Sequence, residues 1–235
     1  DTSNNNTFVE FFTKRGNENE LKEYIKVATF ALNWLESKFQ VKYELPHLQL
    51  ISLNGCPPGM ENYGLITLSD YTTNHEYFIE RALVIMHEIV HQWFGDLISI
   101  KYWDSLWLNE GFAEFIQYLI MRDFKSEVID NDIFELFAKK EGLNALKYYD
   151  YGELAPNESE IDFDYLFDRL TYSKGSFVTK MFYDLIGEVK FFEVCNNYLL
   201  KFKHKSVDIS DFISCANSTL NDDFSSFFDI WLKKY

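Results

Sequence analysis

The spacing of apolar residues divides the chain into a short strand-rich part and a longer helical part. Short apolar runs at residues 8–12, 48–53 and 63–68 are bounded by turn-forming residues and predict three strands. Between the first two runs, apolar residues at 20–39 recur at helical spacing and predict an amphipathic helix. The pattern therefore predicts an α+β fold that begins with a small sheet.

Helical periodicity continues over the remainder of the chain. Residues 74–95 are apolar at too many positions for a surface stripe, which predicts a buried helix that ends at Gly95-Asp96. A second buried helix is predicted within 103–124. Further helices, broken at Gly142, 152–156, Gly187 and 221–222, are predicted at 127–147, 161–186, 188–203, 208–218 and 222–233. We expect one domain over residues 1–235, with a sheet-rich part at about 8–70 and a helical part at about 74–235.

The first buried helix contains polar residues that need partners. His87 and His91 are one turn apart, so their imidazoles can direct two nitrogens at one point. A zinc ion suits that point, because catalytic zinc takes three protein ligands and keeps a further position for water. The third ligand is expected from Glu110, which lies where the next helix begins. The sequence therefore predicts a site for one zinc ion per chain.

Two carboxylates close to these ligands have different expected roles. Glu88 follows the first histidine and points to a neighbouring part of the helix surface, where it can take a proton from a water molecule. Glu114 lies one turn after Glu110. It either orients a ligating histidine through a hydrogen bond or is an exposed helical carboxylate.

Composition limits the class of protein and its partners. The 235 residues are 47% hydrophobic and 18% aromatic, which is sufficient for a globular core. The formal net charge of −15 argues against a nucleic acid partner and favours cationic ligands such as peptide amino groups. Three cysteines match no disulfide framework, so we expect a reducing compartment, the cytoplasm. No apolar run is long enough for a membrane span.

Four motifs, which cover separate parts of the chain, resemble those of the M1 family of zinc aminopeptidases. They are Gly59-Met60-Glu61-Asn62, residues 87–97 (HEIVHQWFGDL), residues 106–114 (LWLNEGFAE) and residues 171–175 (TYSKG). The resemblance extends from about residue 8 to Trp231-Leu232. It implies the thermolysin-like metallopeptidase domain of a gluzincin, with a small N-terminal β-sheet and a mostly helical C-terminal lobe.

The resemblance also implies a role for each matching residue of the reaction centre. His87, His91 and Glu110 would bind Zn²⁺. Glu88 would be the general base and then the proton donor to the leaving amine, and Tyr172 would donate a hydrogen bond to the oxyanion. The implied activity is hydrolysis of the N-terminal peptide bond, which makes the protein a metalloaminopeptidase.

The motif at 59–62 would bind the peptide substrate. Glu61 would hold its free α-amino group by a charge-assisted hydrogen bond, which limits cleavage to the first residue. Gly59 and Met60 would pair with the substrate through backbone groups of an edge strand, and Asn62 completes the motif.

Some positions depart from the family pattern. Pro58 and Gly59 stand where the family usually has Gly-Ala, and proline removes a backbone N–H, which puts substrate preference in question. Asp96 replaces the usual Asn and Ser105 the usual Asp. The family's N-terminal β domain and C-terminal helical domain are expected to lie outside these 235 residues, and we expect the chain alone to be weakly active.

Two other functions remain open at this point. A thermolysin-like endopeptidase would share the zinc ligands but would lack the amine-binding Glu61. A catalytically impaired relative would keep the fold to bind peptides, and only the altered Pro58-Gly59 favours it.

Overall fold

The computed structural model describes residues 1–3, 6–14, 18–69, 78–124, 137–147, 153–156, 159, 161, 167 and 170–233. The strands are β1 (Phe8–Phe12), β2 (His47–Leu53), β3 (Gly59–Met60), β4 (Leu65–Ser69), β5 (Ser99–Ile100) and β6 (Ser206–Val207). The α-helices are α1 (Glu18–Lys38), α2 (Phe78–His91), α3 (Trp107–Asp123), α4 (Leu143–Lys147), α5 (Gly175–Ile186), α6 (Glu188–Phe202), α7 (Ile209–Leu220) and α8 (Ser225–Lys233). Shorter helical turns lie at Trp103–Ser105, Ala138–Gly142 and Leu170–Lys174, the last two π-helical.

The order of these elements confirms the predicted α+β class, with a small N-terminal sheet and a mostly helical remainder. The chain divides into two compact units. One comprises Asp1–Asp96 and Ile116–Asn131, and the other comprises Leu97–Phe115 and Asp132–Tyr235. Among the described helices, none has both the length and the apolar character that a membrane span needs.

The first unit contains a four-stranded sheet in the order β1-β2-β4-β3. β1 and β4 both pair with β2 in parallel, and α1 provides the crossover that a parallel β1–β2 pair requires. In β2, Leu48 and Leu50 are fully buried while His47 and Gln49 are more exposed, as the alternation of side chains along a strand demands. β3 pairs antiparallel with β4 and forms one edge of the sheet.

Helix α1 confirms the predicted amphipathic helix, with boundaries within two residues of the prediction. Its apolar stripe is buried, and the ring of Tyr24 stacks on Phe78 of α2 at 5.5 Å between centroids.

The predicted end of helix α2 at Gly95-Asp96 is wrong. Regular α-helix ends at His91 and a turn follows, closed by a hydrogen bond from the Asp96 N–H to the His91 carbonyl at 3.0 Å. Gly95 has φ of 136°, a conformation that favours glycine and cannot continue a helix. Residues 74–77 of the predicted helix lie outside the described residues.

The second unit has an aromatic core. Phe112, Phe182, Phe212 and Phe228 are each about 1% exposed. Edge-on or tilted ring contacts join them, at 5.2 Å between Phe112 and Phe212 and 5.1 Å between Phe182 and Phe228. Such pairs add to the stability that burial alone provides.

Turn residues end the helices of this unit largely where the sequence predicts. Gly187, with φ of 82°, separates α5 from α6, and Asn221, with φ of 52°, caps α7 in the left-handed region. At the predicted break at Gly142, a π-helical turn ends and α4 begins, and helical residues continue to Lys147 as predicted. The predicted helical residues 127–136 and most of 161–169 lie outside the described part of the chain.

The parallel pair β5–β6 was not predicted. Each strand has two residues, too few for an alternating pattern to be read from sequence.

Candidate active site

Helix α2 places three of the predicted site residues in a buried environment. His87, Glu88 and His91 are all less than 9% exposed, within a helix whose other buried residues are apolar. The i and i+4 spacing brings the Nε2 atoms of the two histidines to 3.0 Å from each other. Polar groups buried in this way are costly unless a partner satisfies them.

The hydrogen bond of His91 defines which of its nitrogens can bind a metal. Its Nδ1 lies 2.9 Å from the carbonyl oxygen of Phe94. Because a carbonyl only accepts, Nδ1 donates, and the neutral ring presents the lone pair of Nε2 on its other side. Bonds of this type hold ligating histidines in orientation in zinc sites.

Glu110 provides the third predicted ligand. It lies in the first turn of α3 and is 4% exposed. The ligand atoms of His87, His91 and Glu110 all lie within 4.8 Å of one another. Two nitrogens and one carboxylate oxygen are a donor set of catalytic zinc, and two nitrogens on one tetrahedral zinc would be about 3.3 Å apart. The observed 3.0 Å between the histidine nitrogens is close to that spacing, so the residues present fit the ion.

Glu88 lies against the edge strand β3. A Cβ atom built on Gly59 would be 2.0 Å from Oε1 of Glu88 and 2.5 Å from its Cδ. The carboxyl group therefore occupies the space that a side chain at position 59 would need, and the alanine usual in the family pattern would require it to move. Pro58 does not interrupt the pairing of β3 with β4, because its carbonyl accepts a hydrogen bond from the Ser69 N–H at 3.2 Å.

The other residues of the substrate motif follow directly after Gly59. Met60 pairs with Thr67 of β4 and is 41% exposed. Glu61 is half-buried and Asn62 is exposed. The motif thus lies on an edge strand and the loop that leaves it, as predicted.

Gln92 is a site residue that the sequence analysis missed. Its Nε2 donates to the carbonyl of Glu61 at 2.9 Å and to Oδ2 of Asp96 at 2.8 Å, and its Oε1 accepts from the Gly64 N–H at 2.9 Å. Its position in the sequence could have indicated this role. A polar residue that directly follows His91 in a buried segment needs hydrogen-bond partners, as the histidines do.

Asp96 lies in the same network. Burial raises the pKa of its carboxyl group to about 7, and the carboxylates of Glu61 and Glu88 contribute to the rise while His91 opposes it.

Tyr172 lies in the π-helical turn at Leu170–Lys174 and is partly exposed. The next residue, Ser173, donates a hydrogen bond to Oε2 of buried Glu141 at 2.7 Å, which holds this turn against the one at Ala138–Gly142. Turns of the π type are often found at functional sites. The role of Tyr172 stays a prediction.

Glu114 is 9% exposed, so the interpretation of it as an exposed helical carboxylate is wrong. Its predicted contact with a ligating histidine stays a prediction.

Comparison with known proteins identifies the family. The model of the Peptidase family M1 domain matches residues 24–231. The chain belongs to peptidase family M1. The resemblance to the M1 family is thereby confirmed.

Several relatives carry the names of aminopeptidases. The chain is 32% identical to "Probable aminopeptidase 1" of Sulfurisphaera tokodaii, over 89% of this chain and 28% of that protein. It is 30% identical to the alanine/arginine aminopeptidase of Saccharomyces cerevisiae, over 96% of this chain and 28% of that protein. Glutamyl aminopeptidase of Rattus norvegicus is also 30% identical, over 92% of this chain and 24% of its own length. The M1 chain thus spans roughly a quarter of the length of the curated relatives it matches.

Proposed function

We propose that the chain is the catalytic part of a zinc-dependent aminopeptidase, a hydrolase that removes the first residue of peptides. The observation that carries the proposal is the convergence of His87, His91 and Glu110 in a chain of family M1. Relatives named aminopeptidases support the same activity. We further propose that residues 1–235 function as one catalytic domain.

Zinc, when bound by these three residues, would act as a Lewis acid on water and on the scissile carbonyl. Glu88 would accept a proton from the attacking water and return it to the leaving amine. The closeness of its carboxyl group to Gly59 supports this role, because the general base then lies beside the strand that would present the substrate.

The substrate would be held at its amino end and along its backbone. Glu61 would bind the α-ammonium group by a charge-assisted hydrogen bond. Gly59 and Met60 would pair with the peptide as an additional strand, which the edge position of β3 supports. Peptides with a free N-terminal amine are therefore the proposed substrates.

Tyr172 would stabilise the oxyanion that forms when water attacks the carbonyl. Removal of a single donor of this kind typically costs about 3 kcal/mol of transition-state stabilisation.

We propose a reducing compartment, the cytoplasm, for the protein. The three thiols of Cys56, Cys195 and Cys215 are all free, which supports this location.

Zinc analysis combined with a single substitution tests the proposal. We expect about one zinc ion per chain in the full-length wild type and in Glu88→Gln, because Glu88 is not a ligand. Hydrolysis of aminoacyl p-nitroanilides should fall by about 10²- to 10⁴-fold in Glu88→Gln, the usual contribution of a general base. Glu80→Gln, on an exposed position of the same helix, is the matched control and should keep the wild-type rate.

Two results would contradict the proposal. A zinc-containing wild type without hydrolytic activity would favour the peptide-binding relative. A Glu88→Gln variant as active as Glu80→Gln would remove Glu88 from the reaction.

A further inference from the structure

The side-chain amide of Gln92 connects the loop after β3 to the end of the metal-binding helix. Gln92 is 1% exposed and directly follows His91. Its two N–H groups and its carbonyl oxygen each have a partner within 2.9 Å. Two of these partners are backbone groups of the loop, the carbonyl of Glu61 and the N–H of Gly64.

We propose that Gln92 is a positioning residue that fixes Glu61 for recognition of the substrate's α-ammonium group. This inference rests on the proposed function, in which Glu61 is the amine ligand. Gln92 would thus contribute to selectivity for a free amine, and the zinc chemistry would depend on other residues.

Neither strand pairing nor full burial fixes Glu61 in the part of the chain that the structure describes. The residue lies between β3 and β4, outside both strands, and its side chain is only half-buried. Backbone bonds hold the residues that follow Glu61, from the Leu65 N–H to the Asn62 carbonyl at 2.8 Å and from the Gln49 N–H to the Gly64 carbonyl at 2.9 Å. The bond from Gln92 reaches the carbonyl of Glu61 itself, and so it acts on the backbone that carries the carboxylate.

The bond between an ammonium ion and a carboxylate depends strongly on the position of the carboxylate, because its strength requires short and well-aligned geometry. Loss of the Gln92 amide would leave the Glu61 carbonyl and the Gly64 N–H without their buried partner, and the loop would shift toward water. The amine site would then be weakened while the metal ligands on α2 and α3 remain in place.

Asp96 fixes the orientation of the Gln92 amide. Its Oδ2 accepts the second N–H of Gln92, so the amide oxygen is directed at Gly64. An asparagine at position 96 can accept the same bond through its Oδ1, whereas an alanine cannot. Comparison of Asp96→Asn with Asp96→Ala therefore tests the hydrogen bond to Gln92, because the first variant keeps an acceptor at this position and the second removes it.

The test compares two probes that differ only in the amine. They are the hydroxamate of the amino acid that the wild type binds most tightly, and its des-amino analogue. Dissociation constants are measured by calorimetry on the zinc-loaded full-length protein, so the readout does not depend on turnover. We expect the wild type to prefer the amine-bearing probe by about 10- to 100-fold, the range of a hydrogen bond to a charged group.

In Gln92→Met we expect this preference to fall by about tenfold, with the affinity for the des-amino probe and the zinc content unchanged. Gln49→Met is the matched control, because its amide also donates to a carboxylate, but that of Glu10 on β1. It should keep the wild-type preference. A wild-type preference in Gln92→Met would overturn the inference.

A second pair of variants decides the question if Gln92→Met does not fold. Asp96→Ala should show a reduced preference for the amine, and Asp96→Asn should retain it. Equal preference in Asp96→Ala and the wild type would then overturn the inference. A wild type with no preference for the amine would instead contradict the role of Glu61, and thus the proposed function.

Discussion

The close approach of Gly111 and Gly175 allows a prediction whose size can be worked from the structure. Gly111 directly follows the proposed ligand Glu110, and Gly175 begins α5 directly after the turn that carries Tyr172. A Cβ atom on Gly111 would lie 2.6 Å from the carbonyl carbon of Gly175 and 2.8 Å from its oxygen. Both contacts are with backbone, so no side-chain rotation can relieve them.

In Gly111→Ala, the segment around Gly175 must therefore move. Restoring an ordinary contact requires a displacement of about 0.8 Å, because the observed 2.6 Å must lengthen to the 3.4 Å at which ordinary van der Waals contacts begin. Overpacking of this kind typically costs about 1–3 kcal/mol, and the better helix propensity of alanine offsets up to about 1 kcal/mol of it. The displaced turn carries Tyr172, and a misplacement of about 1 Å can lower a rate by about 10²-fold.

We expect Gly111→Ala to lose about 1–2 kcal/mol in the free energy of unfolding and about 10- to 100-fold in kcat. Chemical denaturation and aminoacyl p-nitroanilide hydrolysis measure the two effects. Gly142→Ala is the matched control, since among the described residues a Cβ there would meet Phe177 Cε2 at an ordinary 3.6 Å. Gly111→Ala with the stability and kcat of the control would refute the claim that this contact positions the turn of Tyr172.

The remaining predictions concern the metal, the oxyanion and a helix cap. Removal of zinc by a chelator should lower the Tm, because only the folded chain assembles the three proposed ligands. Addition of free zinc at 100 times its Kd should restore about 2.7 kcal/mol of the free energy of unfolding. An unchanged Tm would argue against the site. Tyr172→Phe should lower kcat by about 10²-fold with little change in KM, and an equal rate would exclude it as the oxyanion donor. Asp208→Ala should destabilise the protein at pH 7 by about 1 kcal/mol, because the carboxylate caps α7. The hydrogen bond from Ser210 lowers the pKa of Asp208 in the folded chain. The stability that this carboxylate contributes is therefore fully present above the pKa of Asp208 in the unfolded chain, and it is lost as the pH falls through the lower pKa of the folded chain. Denaturation curves of both proteins between pH 7 and pH 2 should therefore converge, and a constant difference would contradict the assignment.

The features that were predictable from the sequence are those that a repeating pattern encodes. Helix α1 and strand β2 each carry enough residues for a period of apolar positions to be recognised. The three proposed ligands were predictable because metal chemistry demands particular residue types at particular spacings. Gly187 and Asn221 were recognisable helix ends because few residues adopt their left-handed conformations.

The features that were not predictable depend on contacts between distant segments. Nothing local to Gln92 indicates that its amide binds a loop some thirty residues earlier, and nothing local to Gly59 indicates that Glu88 occupies the space beside it. The end of α2 at His91 likewise depends on a turn that Gly95 permits, and the pattern of apolar residues continues past it. Strands β5 and β6 are too short to have a pattern at all.

Cleavage of one peptide in two forms tests the central claim most directly. The zinc-loaded full-length protein is incubated with a peptide that has a free N-terminus and with the same peptide acetylated there, and the products are identified by mass spectrometry. Recognition of the ammonium group by Glu61 predicts stepwise loss of single residues from the free peptide and no cleavage of the acetylated one. Equal turnover of the two peptides, or cleavage at internal bonds, would contradict an aminopeptidase and favour an endopeptidase that uses the same zinc ligands.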